Sequence, residues 1–460
     1  MFDHLQPPTL LYEIVPELFD PDASTPPLVS IRNRLDHLNH LSVDGIVLTP
    51  VFPGGGAQRI HPKDFFSVDP SLGTEADLVD LCQAASEKNI AVLLMGIFDH
   101  VSVEHPWFVT ACEHEDNEAS FPPEKRTRSF FLFDEYSEAG YRCSRGSPEA
   151  PLLNLRNPQV RRRLFTGEGS VLHYWLNRGV MGWCVLQADS VGYSILREIR
   201  RGALTVEGPH ALIGDIRGFA DRYVRDGLLD GVVNHYLREA VIAYLQSKCP
   251  ARQVSRVLRD LARRYGSTLS SGWNVLSSHV GPRAYTLLRD WKRVRLGILL
   301  TYTLPGAAHI YCGDEIGVVG RRSKAEDASM VWNESLWKED IYELYVKLGH
   351  IRSNHSALRS GEFVDLTPEG EEEILAFART TGDPCESVLV MLNRAAQTRV
   401  RKIFAPVCDL PDGLRLQDVL TGDEFIVQCG TVTIDVEGQD ARILVPNKED
   451  ASGEKFFRDY

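Results

Sequence analysis

The feature that most limits what this chain can become is a regular alternation of short apolar runs with amphipathic segments. "TLLYEIV", "DGIVLTPV" and "IAVLLMGIF" are followed by "GWCVLQA", "HALIGDI", "LDGVVNHY", "NVLSSH" and "GAAHIYCGDE". Between most of them lie stretches with apolar residues at helical spacing, such as "LVSIRNRLDHLNHL" and "EADLVDLCQAASEKN". Continuous apolar strands separated by helices make a parallel sheet covered on both faces. Eight such units within roughly 350 residues favour a closed ring over an open sheet.

The period is lost over 99–151, a long polar stretch rich in Pro, Glu and Arg, and a loop of that length reads as an inserted subdomain. After about residue 360 the texture changes to short strands with turn signals, among them "EEILAFART", "ESVLVMLNR", "EFIVQCG" and "ARILVP". The expected fold is therefore α/β. A (β/α)8 TIM barrel spans 1–98 and 152–358, with the inserted subdomain after strand three at 99–151. A C-terminal antiparallel β-sandwich spans 359–448, and 449–460 is a charged tail.

Composition narrows the function. The chain has 460 residues, 43% of them hydrophobic and 25% charged, which is ordinary for a globular protein. A net charge of -13 opposes binding to nucleic acid or to an anionic membrane. "MFDHLQPPTLLYEIV" has no basic segment leading into an apolar core, so no signal peptide is expected. No apolar run is long enough to span a membrane. The nine cysteines are scattered and form no CxxC pair, which points to reduced thiols in a cytoplasm. "FPGGGAQ" lacks the Lys-Ser/Thr of a phosphate loop, and no HExxH spacing occurs, so neither cofactor nor metal is expected. The basic helix "RQVSRVLRDLARRYG" reads as a barrel helix with a solvated face, and "ACEHED" as an exposed acidic loop.

In barrels of this kind, chemistry sits at the carboxyl ends of the strands. Those ends carry Asp99 and His100 after strand three, Asp215 after strand five, and His279 with Arg283 after strand seven. Such a set suits a pocket for a neutral polyol such as a sugar.

At these residues the chain resembles the α-amylase family, glycoside hydrolase family 13, and within it the neopullulanase and cyclomaltodextrinase group. "DFFSVDPSLGTEADLVDL" resembles the family's "DY-x-x-DP-x-G" segment. "FDHVSVEHPWF" resembles its first signature, normally "DAVFNH", and "GVMGWCVLQADSV" its second, normally "GVDGWRLDVANEV". "ALIGDIRGFADRYVRDGLLDG" resembles the third, and "NVLSSHVGPR" the fourth, normally "SHDTPR". The resemblance implies the barrel, an α-glucan or oligosaccharide ligand, and a retaining mechanism. First strands of the group follow an N-terminal carbohydrate-binding domain that helps build the dimer; here strand one begins near Leu10, so that domain and that dimer mode are not expected.

The departures are as specific as the matches. By the resemblance, the nucleophilic Asp position holds Leu186, the general-acid Glu position Asp215, and the transition-state-stabilising Asp position Val280. The Arg that orients the nucleophile is replaced by Cys184, the strand-three Asp by Met95, and its Asn by Asp99. The stacking Tyr is matched by Ile60, while His100 and His279 are retained. Residues two apart on a strand share a face, so Cys184 and Leu186 are expected to face the lumen together. A retaining glycosidase needs two carboxyl groups about 5–5.5 Å apart, one of which becomes a glycosyl ester. Leucine can do neither. Asp215 is one methylene short, and misplacement by about 1 Å can cost roughly 100-fold.

The expectation is a pseudoenzyme with no intact catalytic set: a non-hydrolytic protein that binds an α-glucan or oligosaccharide, a protein partner or a second copy. Asp99, His100, Asp215 and His279 are the candidate ligand contacts. The alternative is a residual or altered enzyme acting on α-glucosides through Asp215 with Asp99 or Asp189. Against it, Asp189 matches the Asn of "VANE" and reads as a loop or cap aspartate. Cys184 near His100 or His279 could be a thiol–imidazole pair; a small residue filling the former Arg space is the favoured reading. Trp107, Phe108 and Trp183 read as packing residues, and "GDEIG" as a structural segment of strand eight.

Overall fold

The computed structural model describes residues 7–113, 126–320, 329–408 and 410–447. Eight parallel strands form one sheet: β1 (Leu10–Ile14), β2 (Gly45–Leu48), β3 (Ala91–Gly96), β4 (Gly182–Val185), β5 (Ala211–Gly214), β6 (Gly231–Val232), β7 (Trp273–Asn274) and β8 (Ala307–Tyr311). Each pairs with the next in sequence, β8 pairs back with β1, and a parallel bridge from Val233 to Trp273 joins β6 to β7. The ring is closed. Its strands are mostly apolar because both faces are covered, with Glu13, Asn274 and His309 as buried polar exceptions. On β1, Leu11 faces the lumen while Leu10, Tyr12 and Ile14 join the layer under the helices. Two strands, β6 and β7, are only two residues long, so "LDGVVNHY" and "NVLSSH" are mostly turn and helix start.

Helices follow the expected signals. Thr74 and Asp77 form a capping box that opens α1 (Glu75–Glu87), and Asn89 turns the chain out with φ 58°. In α2 (Ala251–Tyr265), Val254, Leu258 and Leu261 are buried, while Arg252, Arg256 and Arg263 are exposed. Gly182 and Gly231 on the barrel strands leave no room for a Cβ. A Cβ on Gly182 would stand 2.2 Å from the Ala211 carbonyl oxygen on the neighbouring strand. Gly182→Ala is expected to lower stability by about 1–3 kcal/mol through overpacking. Thermal unfolding checks this, and an unchanged midpoint would refute it.

The excursion between β3 and β4 leaves and returns at one place. Leu153 donates to the Asp99 carbonyl (2.9 Å) and Val101 to that of Pro151 (3.2 Å). Within it, helix Pro106–Glu113 carries Phe108, whose ring meets Phe131 and Tyr141 at centroid distances of 4.9 and 4.8 Å.

The C-terminal part holds eight antiparallel strands: β9 (Glu362–Asp365), β10 (Ile374–Thr380), β11 (Val388–Asn393), β12 (Arg399–Phe404), β13 (Arg415–Asp418), β14 (Glu424–Gln428), β15 (Thr431–Val436) and β16 (Asp440–Pro446). Their order is β9-β10-β11-β16-β13-β14-β15-β12. β10 and β11 are buried on both faces. Leu375, Phe377 and Val390 pack toward the barrel, while Ile374, Ala376 and Met391 face a second core closed by Val427, Val432 and Ile434. β15 has only one covered face, and its burial alternates residue by residue. β9, acidic and at most half-buried, lacks that alternation and is the strand the sequence does not announce. Arg379, fully buried, donates to the carbonyls of Gly361, Thr303 and Leu358, tying this sheet to the barrel.

Candidate functional site

The carboxyl end of the barrel is floored by side chains that point inward at alternate strand positions. Met95, Ile97, Cys184, Leu186 and Ile213 belong to one buried apolar cluster, with Ile60 packed against it. Cys184 lies in register between Met95 and Ile213. Cys184 is fully buried and Leu186 is 7% exposed, so both occupy the lumen together. Burial raises the Cys184 thiol well above its ordinary pKa, and the Asp215 and Glu13 carboxylates push the same way. The thiol stays protonated, which leaves no thiolate for the thiol–imidazole reading.

Around this floor the acids are each held by a cation or an imidazole. Asp215 Oδ1 lies 2.6 Å from His235 Nε2. Asp99 Oδ1 meets His100 Nδ1 at 2.7 Å, and the other His100 nitrogen lies 2.9 Å from the Ile60 carbonyl and 3.1 Å from His61 Nδ1. Burial and the neighbouring His100 lower the His61 pKa. Glu13 Oε1 accepts from the His279 backbone N–H (2.6 Å) and meets His279 Nδ1 (2.8 Å), while Oε2 lies 3.0 Å from His309 Nε2. Burial alone would raise the Glu13 carboxyl; the His279 and His309 rings more than offset it and hold it well below the usual carboxylate range. Arg283 pairs with Asp314 at 2.8 Å and donates to the Cys312 carbonyl, yet burial still raises the Asp314 carboxyl.

The predicted residues thus fall into separate groups. Met95, Cys184 and Leu186 come together as a dry floor. Asp99 with His100, and Asp215 with His235, form pairs at its rim. His279 is turned onto Glu13. Val280 follows in the loop after β7, half-buried. Asp189 is exposed, and its carboxylate accepts from the backbone of Ser190. Glu315 of "GDEIG" is buried and takes a hydrogen bond from the Tyr12 hydroxyl at 2.6 Å. Trp183 and Phe108 are buried, and Trp107 packs on Phe130 with ring centroids 5.6 Å apart. "ACEHED" is described only to Glu113; the rest of it, like the tail 449–460, lies outside the described residues.

Sequence reasoning misses Glu13, His235, His309 and His61. Glu13 has a signal: one carboxylate inside "LLYEI" has to find partners if the strand is buried. His235 begins helix His235–Leu245, where the sequence pattern extends strand six.

Beside the rim at Asp99 lies a cavity of about 700 Å3 between the inserted stretch and the turn after β4. Asp99 is the predicted contact that lines it. Arrangements that could hold a metal ion through three or more His, Cys, Asp or Glu are absent among the described residues. No described helix is long and apolar enough to cross a membrane. Chemically, the floor can pack and the rim can exchange hydrogen bonds. A carboxylate at position 186, from which a glycosyl ester would form, is missing.

The sequence model of the alpha-amylase catalytic domain matches residues 23–350. The chain is 27% identical to a cyclomaltodextrinase of Geobacillus thermopakistaniensis over 416 residues, 88% of this chain and 68% of that one. It is 25% identical to neopullulanase 2 of Thermoactinomyces vulgaris, over 91% and 70% of the two chains. Among solved structures, Ttha1563 from Thermus thermophilus superposes with a TM-score of 0.82 at 25% identity, over 95% of this chain and 99% of that one. The cyclic α-maltosyl-(1→6)-maltose hydrolase of Arthrobacter globiformis shares the fold with a TM-score of 0.80 at 20% identity, over 95% and 98%.

Proposed function

Because the chain belongs to the α-amylase family, we propose that it is a pseudoenzyme of that family, one that binds an α-glucan or related oligosaccharide without hydrolysing it. The observation that carries this reading is the placement of Leu186 and Cys184 in the apolar floor with Met95 and Ile97. A retaining route needs an ionised carboxylate there and an Arg to orient it; the residues present are neutral and dry. The rim residues Asp99, His100, Asp215 and His279 are the proposed ligand contacts, and a protein partner or second copy is the other occupant the same scaffold would serve. Nine scattered cysteines with no CxxC pair suit a reducing, cytoplasmic setting.

Calorimetric titration with maltooligosaccharides and cyclodextrins, followed by product analysis of the same samples, tests this. Binding without products is expected. Asp215→Asn is expected to leave the absence of turnover unchanged, since Asp215 has no nucleophile to work with and is engaged by His235. Products formed by the wild type and lost in Asp215→Asn would overturn the proposal in favour of an altered enzyme.

A further inference from the structure

The cavity beside Asp99 has a strongly cationic lining. Four of the residues that line it are arginines: Arg142, Arg145, Arg156 and Arg161. They gather on one cleft of a chain whose net charge is -13. Arg161 is spent within the protein, on Glu198 at 2.8 Å and on the carbonyls of Leu155 and Arg156. The others are not. Arg142 reaches Asp134 only at 3.5 Å, with 65% of its side chain exposed. Arg156 is exposed and meets no carboxylate among the described residues.

Arg145 is the most constrained. It donates through Nε to Gln187 Oε1 at 2.9 Å, across the cleft from the inserted stretch to the turn after β4. Both residues are held in the left-handed region, Arg145 at φ 50° and Gln187 at φ 51°. Non-glycine residues adopt that backbone rarely, and such outliers gather at ligand sites. The bond occupies Nε, and the two terminal amino groups of this cleft-lining Arg145 meet no carboxylate among the described residues. Asp99, the one carboxylate on the lining among the described residues, is engaged by His100. Leu153, Leu155, Val191 and Ile195 give the cleft an apolar wall, and Ser190 and Ser194 give it hydroxyls.

We propose that this cleft binds a phosphate ester of a small sugar: the arginine forks take the phosphoryl oxygens, and the serines and apolar wall take the sugar ring. Planar guanidinium groups match phosphate oxygens in pairs, whereas a neutral glucan has no use for Arg145 and Arg156, two cations that meet no carboxylate among the described residues, beside an Arg142 held only by the 3.5 Å contact to Asp134. The inference rests on the reading of this end of the barrel as a binding site, and it names the chemistry of the ligand.

Calorimetry with glucose 1-phosphate, glucose 6-phosphate, inorganic phosphate and maltotriose distinguishes the two. A sugar phosphate is expected to bind at least about tenfold more tightly than maltotriose, as charge-assisted hydrogen bonds allow. That margin should shrink as salt rises from about 0.05 to about 0.5 M. The exposed double variant Arg145→Gln, Arg156→Gln is expected to lose that advantage while its circular dichroism and its maltotriose affinity stay as in the wild type. Equal or tighter binding of maltotriose overturns the inference and leaves the oligosaccharide-binding pseudoenzyme standing. Inorganic phosphate bound as well as the esters, or no phosphate compound bound at all, overturns it too. A sugar phosphate bound and then cleaved would keep the inference and overturn the pseudoenzyme.

Discussion

Leu186→Asp, which restores the side chain the family's chemistry calls for, is expected to destabilise the protein by about 4 kcal/mol and to produce no glycosidase activity. Roughly 2–3 kcal/mol of this is the lost burial of leucine. The rest is the cost of a polar group placed among Met95, Ile97 and Cys184. The residue that would have balanced the new charge is Cys184, and the acid nearest to that thiol in effect is Asp215, which repels a second carboxylate. The introduced carboxyl should therefore have its pKa raised and stay protonated near neutrality, where it is no nucleophile. The sign follows. A folded-state pKa above the unfolded one makes the variant's deficit smallest in acid and larger as pH rises. For a chain of 460 residues a deficit of about 4 kcal/mol is on the order of 4 °C in the unfolding midpoint. Adding Cys184→Arg to Leu186→Asp should recover part of it, because the pair then neutralises itself, and a double-mutant cycle measures that coupling. A single variant as stable as the wild type at pH 8, or one that releases products from maltotriose, would show that the floor is wetter and more polar than its packing indicates.

That floor was legible in the sequence because period two is a rigid rule. Once "GWCVLQA" is a strand, Cys184 and Leu186 have to point the same way, and the closed ring puts that way inward. The barrel was legible for a similar reason: each apolar run is buried on both faces and advertises itself. Lengths were harder. β6 and β7 are two residues each, and the apolar letters around them belong to turns and a helix start that the ring buries equally well. The rim pairs were not readable at all. Glu13 meets His279 across 266 residues of sequence, a contact fixed only when β8 closes on β1 and β7 sits beside it. Asp215 looked like an acid at a strand end; its partner His235 comes from the helix after the next strand. A strand end says where a side chain goes, and only closure says what it meets there.

Glu13→Gln is the second large effect, expected to cost about 1–3 kcal/mol at neutral pH, the usual loss when a buried hydrogen-bonded carboxylate is replaced and its partners are left poorly satisfied. Glutamine keeps the shape and one acceptor oxygen. It gives up the negative charge that faces two imidazoles and sets an NH2 group against donors already aimed at the site. The pH dependence runs opposite to that of Leu186→Asp. Glu13 is held below its ordinary value of 4.5 in the fold. Its contribution is thus fully present above about pH 4.5 and is lost as pH falls toward the folded value. The gap in urea midpoint between wild type and Glu13→Gln should be widest at pH 7 and should narrow by pH 3.5. A gap that stays constant across that range would mean that Glu13 acts by packing and not by charge. The same substitution reaches the rim. Glu13 fixes the backbone of His279, and the loop it anchors carries Val280 and Arg283. Amide exchange in 277–283 should accelerate in the variant, and its affinity for maltooligosaccharides should fall, while exchange in β10 and β11, which lie in the C-terminal sheet, stays slow. Faster exchange throughout the chain would place Glu13 in the general stability of the barrel and take it out of the organisation of the rim.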